Sequence, residues 1–235
     1  MTDRQDKVIG ILGGLGPEAT VDLFGKIVRA TPVQTEQDHL RIIVDNNPKI
    51  PSRLDFILHG GPSPVPAMQD MARGLERAGA DLIVIGANTA HYFYADIQAA
   101  VQVPIIHMIE ETARETAERW PAVKTIGLLA TTGTVKTRMY HEAFEPFGVA
   151  VIAPAVDEQD QVMAAIHAFK EGDNVAQSRV TLLLTAAEGL VERGAQAVLM
   201  GCTEVPVILS GVEMAVPLID ANQLIAEVIV RRAKE

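Results

Sequence analysis

Leu190-Val191-Glu192-Arg193-Gly194-Ala195-Gln196-Ala197-Val198-Leu199-Met200-Gly201 has a counterpart 115 residues earlier, Leu75-Glu76-Arg77-Ala78-Gly79-Ala80-Asp81-Leu82-Ile83-Val84-Ile85-Gly86. Each copy reads as a helix end, a glycine and a short apolar strand stopped by a second glycine. Two more pairs keep the same order. Lys7-Val8-Ile9-Gly10-Ile11-Leu12 returns 117 residues on as Lys124-Thr125-Ile126-Gly127-Leu128-Leu129, and Val103-Pro104-Ile105-Ile106 returns 113 residues on as Val216-Pro217-Leu218-Ile219. Shared strand–helix grammar imitates part of such a match, but three matches in one order with little drift point to an internal duplication.

Outward from these stretches, strands are expected at 8–12, 40–44, 82–85, 104–107, 124–129, 149–153, 197–200 and 216–219. Helices are expected at 18–29, 67–78, 94–100, 110–119, 135–147, 159–170, 175–193 and 222–233, with a further helix at 203–209. Strands alternating with helices imply an α/β fold: two pseudo-symmetric, doubly wound parallel-sheet lobes. The expected division is 1–115 with 220–235 as the first lobe, the C-terminal helix packing back on it, and 116–219 as the second. Facing strand ends would place the site in the cleft between the lobes, lined by 13–20, 86–91, 131–134 and 201–204.

The bulk numbers exclude several classes. Twenty basic against 30 acidic residues give a net charge of −10, which disfavours nucleic acid and anionic membrane as partners. One cysteine rules out an internal disulfide framework and a cysteine-rich zinc site. The six histidines show no paired ligand spacing, so no metal is expected. The opening stretch Met1-Thr2-Asp3-Arg4-Gln5-Asp6-Lys7 is polar and no apolar run approaches bilayer length, which reads as a cytoplasmic protein.

Chemistry is expected where strands end. Gly13-Gly14-Leu15-Gly16-Pro17-Glu18-Ala19-Thr20 permits a tight turn and close approach of a ligand, with Pro17 opening a helix, yet it fits neither a dinucleotide fingerprint nor a phosphate loop. Asp45-Asn46-Asn47-Pro48-Lys49-Ile50-Pro51-Ser52-Arg53 reads as a loop whose Arg53 could grip a carboxylate at two points. Gly201-Cys202-Thr203-Glu204 sets the lone thiol beside a hydroxyl and a carboxylate. A helix beginning at Thr203 would favour its thiolate; an inert buried cysteine is the competing reading. At a shift of 115, Cys202 maps onto Ala87 and Thr203 onto Asn88. Two acid/base groups on opposite faces of one carbon are what a two-base racemase requires; here one position holds a methyl group.

At these residues the chain resembles the aspartate/glutamate racemase family, within the wider group of glutamate, hydantoin and related racemases. The resemblance rests on Gly13–Thr20, Asn88-Thr89-Ala90-His91, Ala130-Thr131-Thr132-Gly133-Thr134 and Gly201-Cys202-Thr203-Glu204, and it covers essentially the whole chain. It implies two pseudo-symmetric lobes, homodimers, no cofactor, and two cysteines acting as acid and base at Cα of a small acidic amino acid. It also implies that Arg53, after Ile50-Pro51-Ser52, and Lys170, in Phe169-Lys170-Glu171-Gly172, bind the side-chain carboxylate. The departure is Ala87, where the family pattern has cysteine. A silenced chain, a natural one-cysteine member with another proton donor, and a member with different chemistry all fit it.

The residues expected to act are therefore Cys202 as the thiolate base, with Ala87 as its missing partner. Leu15, Gly16, Arg53, Asn88, Thr89, Thr131, Thr134, Lys170 and Thr203 would bind substrate, and His91 and Glu204 would orient or relay protons. Three activities fit: racemisation of an acidic amino acid, one-sided decarboxylation or isomerisation of a small dicarboxylic acid, and plain binding of acidic amino acids.

Overall fold

The computed structural model describes residues 6–172 and 176–235. Met1 to Gln5, and Val175 at the start of the expected helix 175–193, lie outside the described residues. The chain forms two compact units: one of the residues up to Met108 together with Asn222–Glu235, the other of Ile109–Ala221.

The first unit runs β1 (Ile9–Gly13), α1 (Pro17–Ala30), β2 (Ile42–Asn46), α2 (Arg53–His59), α3 (Val65–Arg77), β3 (Leu82–Ile85), α4 (Tyr94–Gln98) and β4 (Ile105–Ile106). It is completed by the chain's last helix, Ala221–Lys234. Its parallel sheet has the order β2-β1-β3-β4. β1 and β3 are buried along their whole length, as expected of central strands covered on both faces. One face carries Leu12, Met68, Leu75, Ile83 and Ile85. The other carries Ile9, Ile11, Leu23 and Ile27 with Ile225, Val228 and Ile229 of the last helix.

The second unit begins within α5 (Met108–Arg119) and continues through β5 (Thr125–Leu129), α6 (Thr132–Lys136), α7 (Met139–Phe144), β6 (Ala150–Ile152), α8 (Val156–Lys170), α9 (Ala176–Glu192), β7 (Ala197–Met200), α10 (Val205–Ile208) and β8 (Leu218–Asp220). The last helix is α11 (Ala221–Lys234). The second parallel sheet has the order β6-β5-β7-β8, the same topology as the first.

The likeness extends to individual contacts. A Cβ on Gly10 would stand 3.0 Å from Ala80 and 3.3 Å from Leu75; one on Gly127 would stand 3.2 Å from Ala195 and 2.8 Å from Leu190. The side chain of Asp81 accepts from Val8 N, and that of Gln196 accepts from Lys124 N and Thr125 N. Gly86 N donates to Leu12 O at 2.9 Å, and Gly201 N to Leu129 O at 2.8 Å. Residues equated by sequence thus hold equivalent places in their own sheets, Ala87 and Cys202 among them.

Three expectations are corrected. The strand expected at 40–44 lies two residues later, at Ile42–Asn46, and Arg53 opens α2 instead of ending a loop. Ser52 caps α2 by accepting from Asp55 N, and Gly60 closes it in the left-handed conformation. The single helix expected at 135–147 is α6, α7 and a 3-10 turn at Glu145–Phe147, broken where Arg138 adopts φ 56°. Between β3 and α4, a 3-10 turn spans Thr89–Phe93.

Candidate active site

In the first unit, the loop after β1 is held by short contacts. Gly14 has φ 88°, and a Cβ there would strike the backbone of Asn47. Gly14 N donates to Thr20 Oγ1 at 2.8 Å, and that hydroxyl donates to Gly16 O at 3.1 Å. Asn47 N donates to Gly13 O at 3.3 Å, tying the loops after β1 and β2 together. Arg53 joins them: Nη2 donates to Leu15 O at 3.3 Å, and Nη1 to Pro51 O and Ile50 O at 3.0 and 3.3 Å. Leu15 and Arg53 are thereby brought together, with the guanidinium turned onto backbone carbonyls.

After β3, Ala87 and Asn88 are buried and Thr89 is half-buried. His91, expected as a relay, has another task. Its Nδ1 lies 2.9 Å from Ala87 O, and its Nε2 accepts from Met108 N at 3.1 Å. An acceptor at one nitrogen and a donor at the other require the neutral ring with its proton on Nδ1. Burial, and then the neighbouring His107, lower its pKa from 6.5 to about 3. His91 staples the Ala87 turn to the start of α5.

In the second unit, Thr131 caps α6, accepting from Thr134 N at 3.3 Å, and the two buried hydroxyls lie 3.1 Å apart. Gln159 braces this loop, donating to Ala130 O at 3.0 Å and Thr132 Oγ1 at 3.3 Å. Sequence reading passed over Gln159; its one signal was a polar residue on the buried face of α8.

β7 ends at Met200, and Gly201 admits no side chain, since a Cβ would stand 2.6 Å from Leu128 Cδ1 and 2.9 Å from Tyr140 Cε2. Next comes a cluster: Cys202 Sγ donates to Glu204 Oε2 at 2.9 Å, and Thr203 Oγ1 donates to the same oxygen at 3.2 Å. Lys170 Nζ, at the end of α8, stands 3.2 Å from Glu204 Oε1. The Glu204 side chain is 2% exposed and that of Lys170 37%.

The cluster overturns the expected activation of the thiol. α10 has four residues and Glu204 at its N-cap, so no helix of useful length starts beside Cys202. Burial, then the charge of Glu204, hold the thiol well above its ordinary range, and Lys170 offsets this only in part. Cys202 rests as a protonated thiol aimed at a carboxylate.

Among the described residues, no group of three His, Cys, Asp or Glu side chains is placed to hold a metal ion, and no helix is long and apolar enough to cross a membrane. Comparison with known proteins gives a match to the Asp/Glu/Hydantoin racemase family over residues 12–229. The chain belongs to this family. The resemblance read from its motifs is borne out, as is the two-lobed α/β fold. The broad specificity amino-acid racemase RacX of Bacillus subtilis (strain 168) is 28% identical over 224 residues, covering 94% of this chain and 95% of that protein. Among structures, an aspartate racemase from Picrophilus torridus superposes with a TM-score of 0.86 at 30% identity, covering 97% and 94% of the two chains. An aspartate racemase homologue from Pyrococcus horikoshii OT3 gives a TM-score of 0.76 at 26% identity, covering 97% and 100%. The first of these is named as an amino-acid racemase of broad specificity and the second as an aspartate racemase.

Proposed function

We propose that this racemase-family chain works without a cofactor at Cα of an acidic amino acid, with Cys202 as its one proton-carrying thiol. The observation that carries this is the Cys202–Glu204–Lys170 cluster at the end of β7. The thiol exchanges the proton, and the half-exposed ammonium meets an anionic substrate. In this reading Lys170 and Arg53 bind the side-chain carboxylate, Arg53 by turning from the carbonyls it now holds. Asn88, Thr89, Thr131, Thr134 and Thr203 steady the α-carboxylate and the charge that develops when Cα loses its proton. The aspartate racemase among the relatives supports an acidic substrate. Family likeness extends the proposal to a cytoplasmic homodimer.

Ala87 makes the site one-sided. With a methyl group at the position equivalent to Cys202, the second face of Cα has no thiol, and racemisation relies on water or a hydroxyl such as that of Thr89. A second reading follows from the same alanine and from the protonated resting state of Cys202. The substrate loses a carboxylate as CO2, and the electron pair left on carbon takes the Sγ proton from a single face. Decarboxylation of a malonate-like acid has this form.

Incubation with L- and D-aspartate and glutamate in D2O, following Cα deuteration and chirality together, tests both readings. Exchange with inversion supports the racemase. Release of CO2 from a malonate-like acid without racemisation supports the second reading, and binding with neither makes the chain a binder. Cys202→Ser, folded as judged by circular dichroism, should lose exchange by at least about 10²-fold; unchanged exchange removes Cys202 from the mechanism.

A further inference from the structure

Glu204 is placed in a way that exchange at Cα does not by itself demand. Its carboxylate is 2% exposed, and Oε2 accepts from both Cys202 and Thr203. Among the described residues Oε1 has no hydrogen-bond partner, and what stands against it is the Lys170 ammonium, 3.2 Å away. That ammonium is 37% exposed, so an anion arriving from solvent meets Lys170 before it can meet Glu204. The remaining polar groups around the thiol do not take over. Tyr140, packed beside Gly201, is buried and its phenol is held neutral, above its ordinary range, by burial. Asp220, also near Tyr140, is another anion.

We propose that Lys170 is shared between Glu204 and the ligand, so that binding of an anionic side chain at Lys170 is accompanied by uptake of a proton at Glu204. Resting on the acidic-ligand reading above, this deepens it by naming what the bound carboxylate does to the thiol's neighbour. A carboxylate on Lys170 draws off the ammonium that, among the described residues, compensates Oε1. A buried carboxylate stripped of its counter-ion is neutralised by protonation, because the alternative is an unpaired charge in a low-dielectric site. The proton comes from solvent and forms an O–H bond on Glu204; no other bond changes. Once neutral, Glu204 no longer opposes negative charge on Cys202 Sγ, so the thiol is released from its resting state only when ligand is present. Glu204 is a positioning residue, acting through Lys170 and Cys202. In the first unit the equivalent positions are Ala87 and Thr89, so the arrangement belongs to one unit alone.

Succinate, which carries two carboxylates and no α-ammonium group, is the probe. Calorimetric titration at pH 7 in buffers of different ionisation enthalpy should show uptake of about one proton per succinate bound, and affinity should rise by up to about tenfold for each pH unit lowered. Glu204→Gln should bind succinate with no linked proton. Lys170→Met should lose most of the binding. Difference infrared spectroscopy of the unaltered chain should show a protonated-carboxyl band appearing with succinate, which keeps the test open if Glu204→Gln does not fold. Binding without uptake, the same uptake in Glu204→Gln, or no such band overturns the coupling and leaves the acidic-ligand reading standing. Absence of succinate binding overturns both.

Discussion

Cys202 and Ala87 occupy equivalent places at the ends of β7 and β3, and they differ by one sulfur atom. Restoring that atom is the sharpest test at the scale of a residue. Ala87→Cys should raise racemisation of an acidic amino acid by about 10²-fold or more, the contribution of a placed acid/base group, measured by polarimetry or chiral chromatography. No gain would argue that the first unit's strand end does not face Cα. His91 gives a second test. Its ring stays neutral in the fold down to about pH 3, whereas the unfolded chain protonates it near 6.5. Between those values the unfolded state binds the extra proton, so stability falls as pH falls, by about 1.4 kcal/mol per pH unit and about 4–5 kcal/mol by pH 3. Urea denaturation at pH 4, 5, 6 and 7 should show His91→Gln with a slope shallower by that amount per unit. Cys202 and Arg53 stand out in the sequence by type and place, and Lys170 through the family resemblance. Their states were not legible: burial and then the charge of Glu204 hold the Cys202 thiol protonated, and the sequence, which sets the carboxylate two residues on, does not show that the pair is buried.

Strands and helices were legible in proportion to how locally they are determined. β3 and β7 begin and end as expected, since four apolar residues run into a glycine and pair inside a sheet. α2 and the broken segment around Arg138 were not, for opposite reasons. Ser52 and Gly60 mark the ends of α2, but Asn and Pro just before it suggest a loop. Arg138 looks like a helix former and yet sits in the left-handed region, which its intrinsic preference does not announce. The loop after β1 shows the reverse, a conformation announced by its sequence. Gly14→Ala puts a methyl group against the Asn47 backbone at φ 88° and should cost at least about 2 kcal/mol, read as a lowered urea midpoint with an unchanged slope.

At the scale of the molecule, the duplication was the most legible feature, and the topology 2-1-3-4 appears in both sheets. α11, the helix expected to pack back on the first lobe, is separated in sequence by the whole second unit from the unit to which it belongs. α11 closes one face of the first sheet with Ile225, Val228, Ile229 and Val230, and Asn222 Nδ2 donates to Asp22 Oδ2 at 3.0 Å, beside the Asp22–Lys26 ion pair. Ending the chain at Ala221 removes about 6–12 kcal/mol of apolar burial, comparable to the whole stability of a domain. Hydrogen exchange should then show the first unit unprotected and the second still folded; equal protection in both would mean that α11 is dispensable.

The same placement of α11 sets an order in time. During synthesis, all of Ile109–Ala221 leaves the ribosome before Asn222–Glu235 does. The unit that starts first must wait, one face of its sheet uncovered, while the unit coded inside it has every residue it needs. In the making of this protein the inner unit is able to finish before the outer one, and the opening half of the chain is the part most exposed to chaperones and to its own kind.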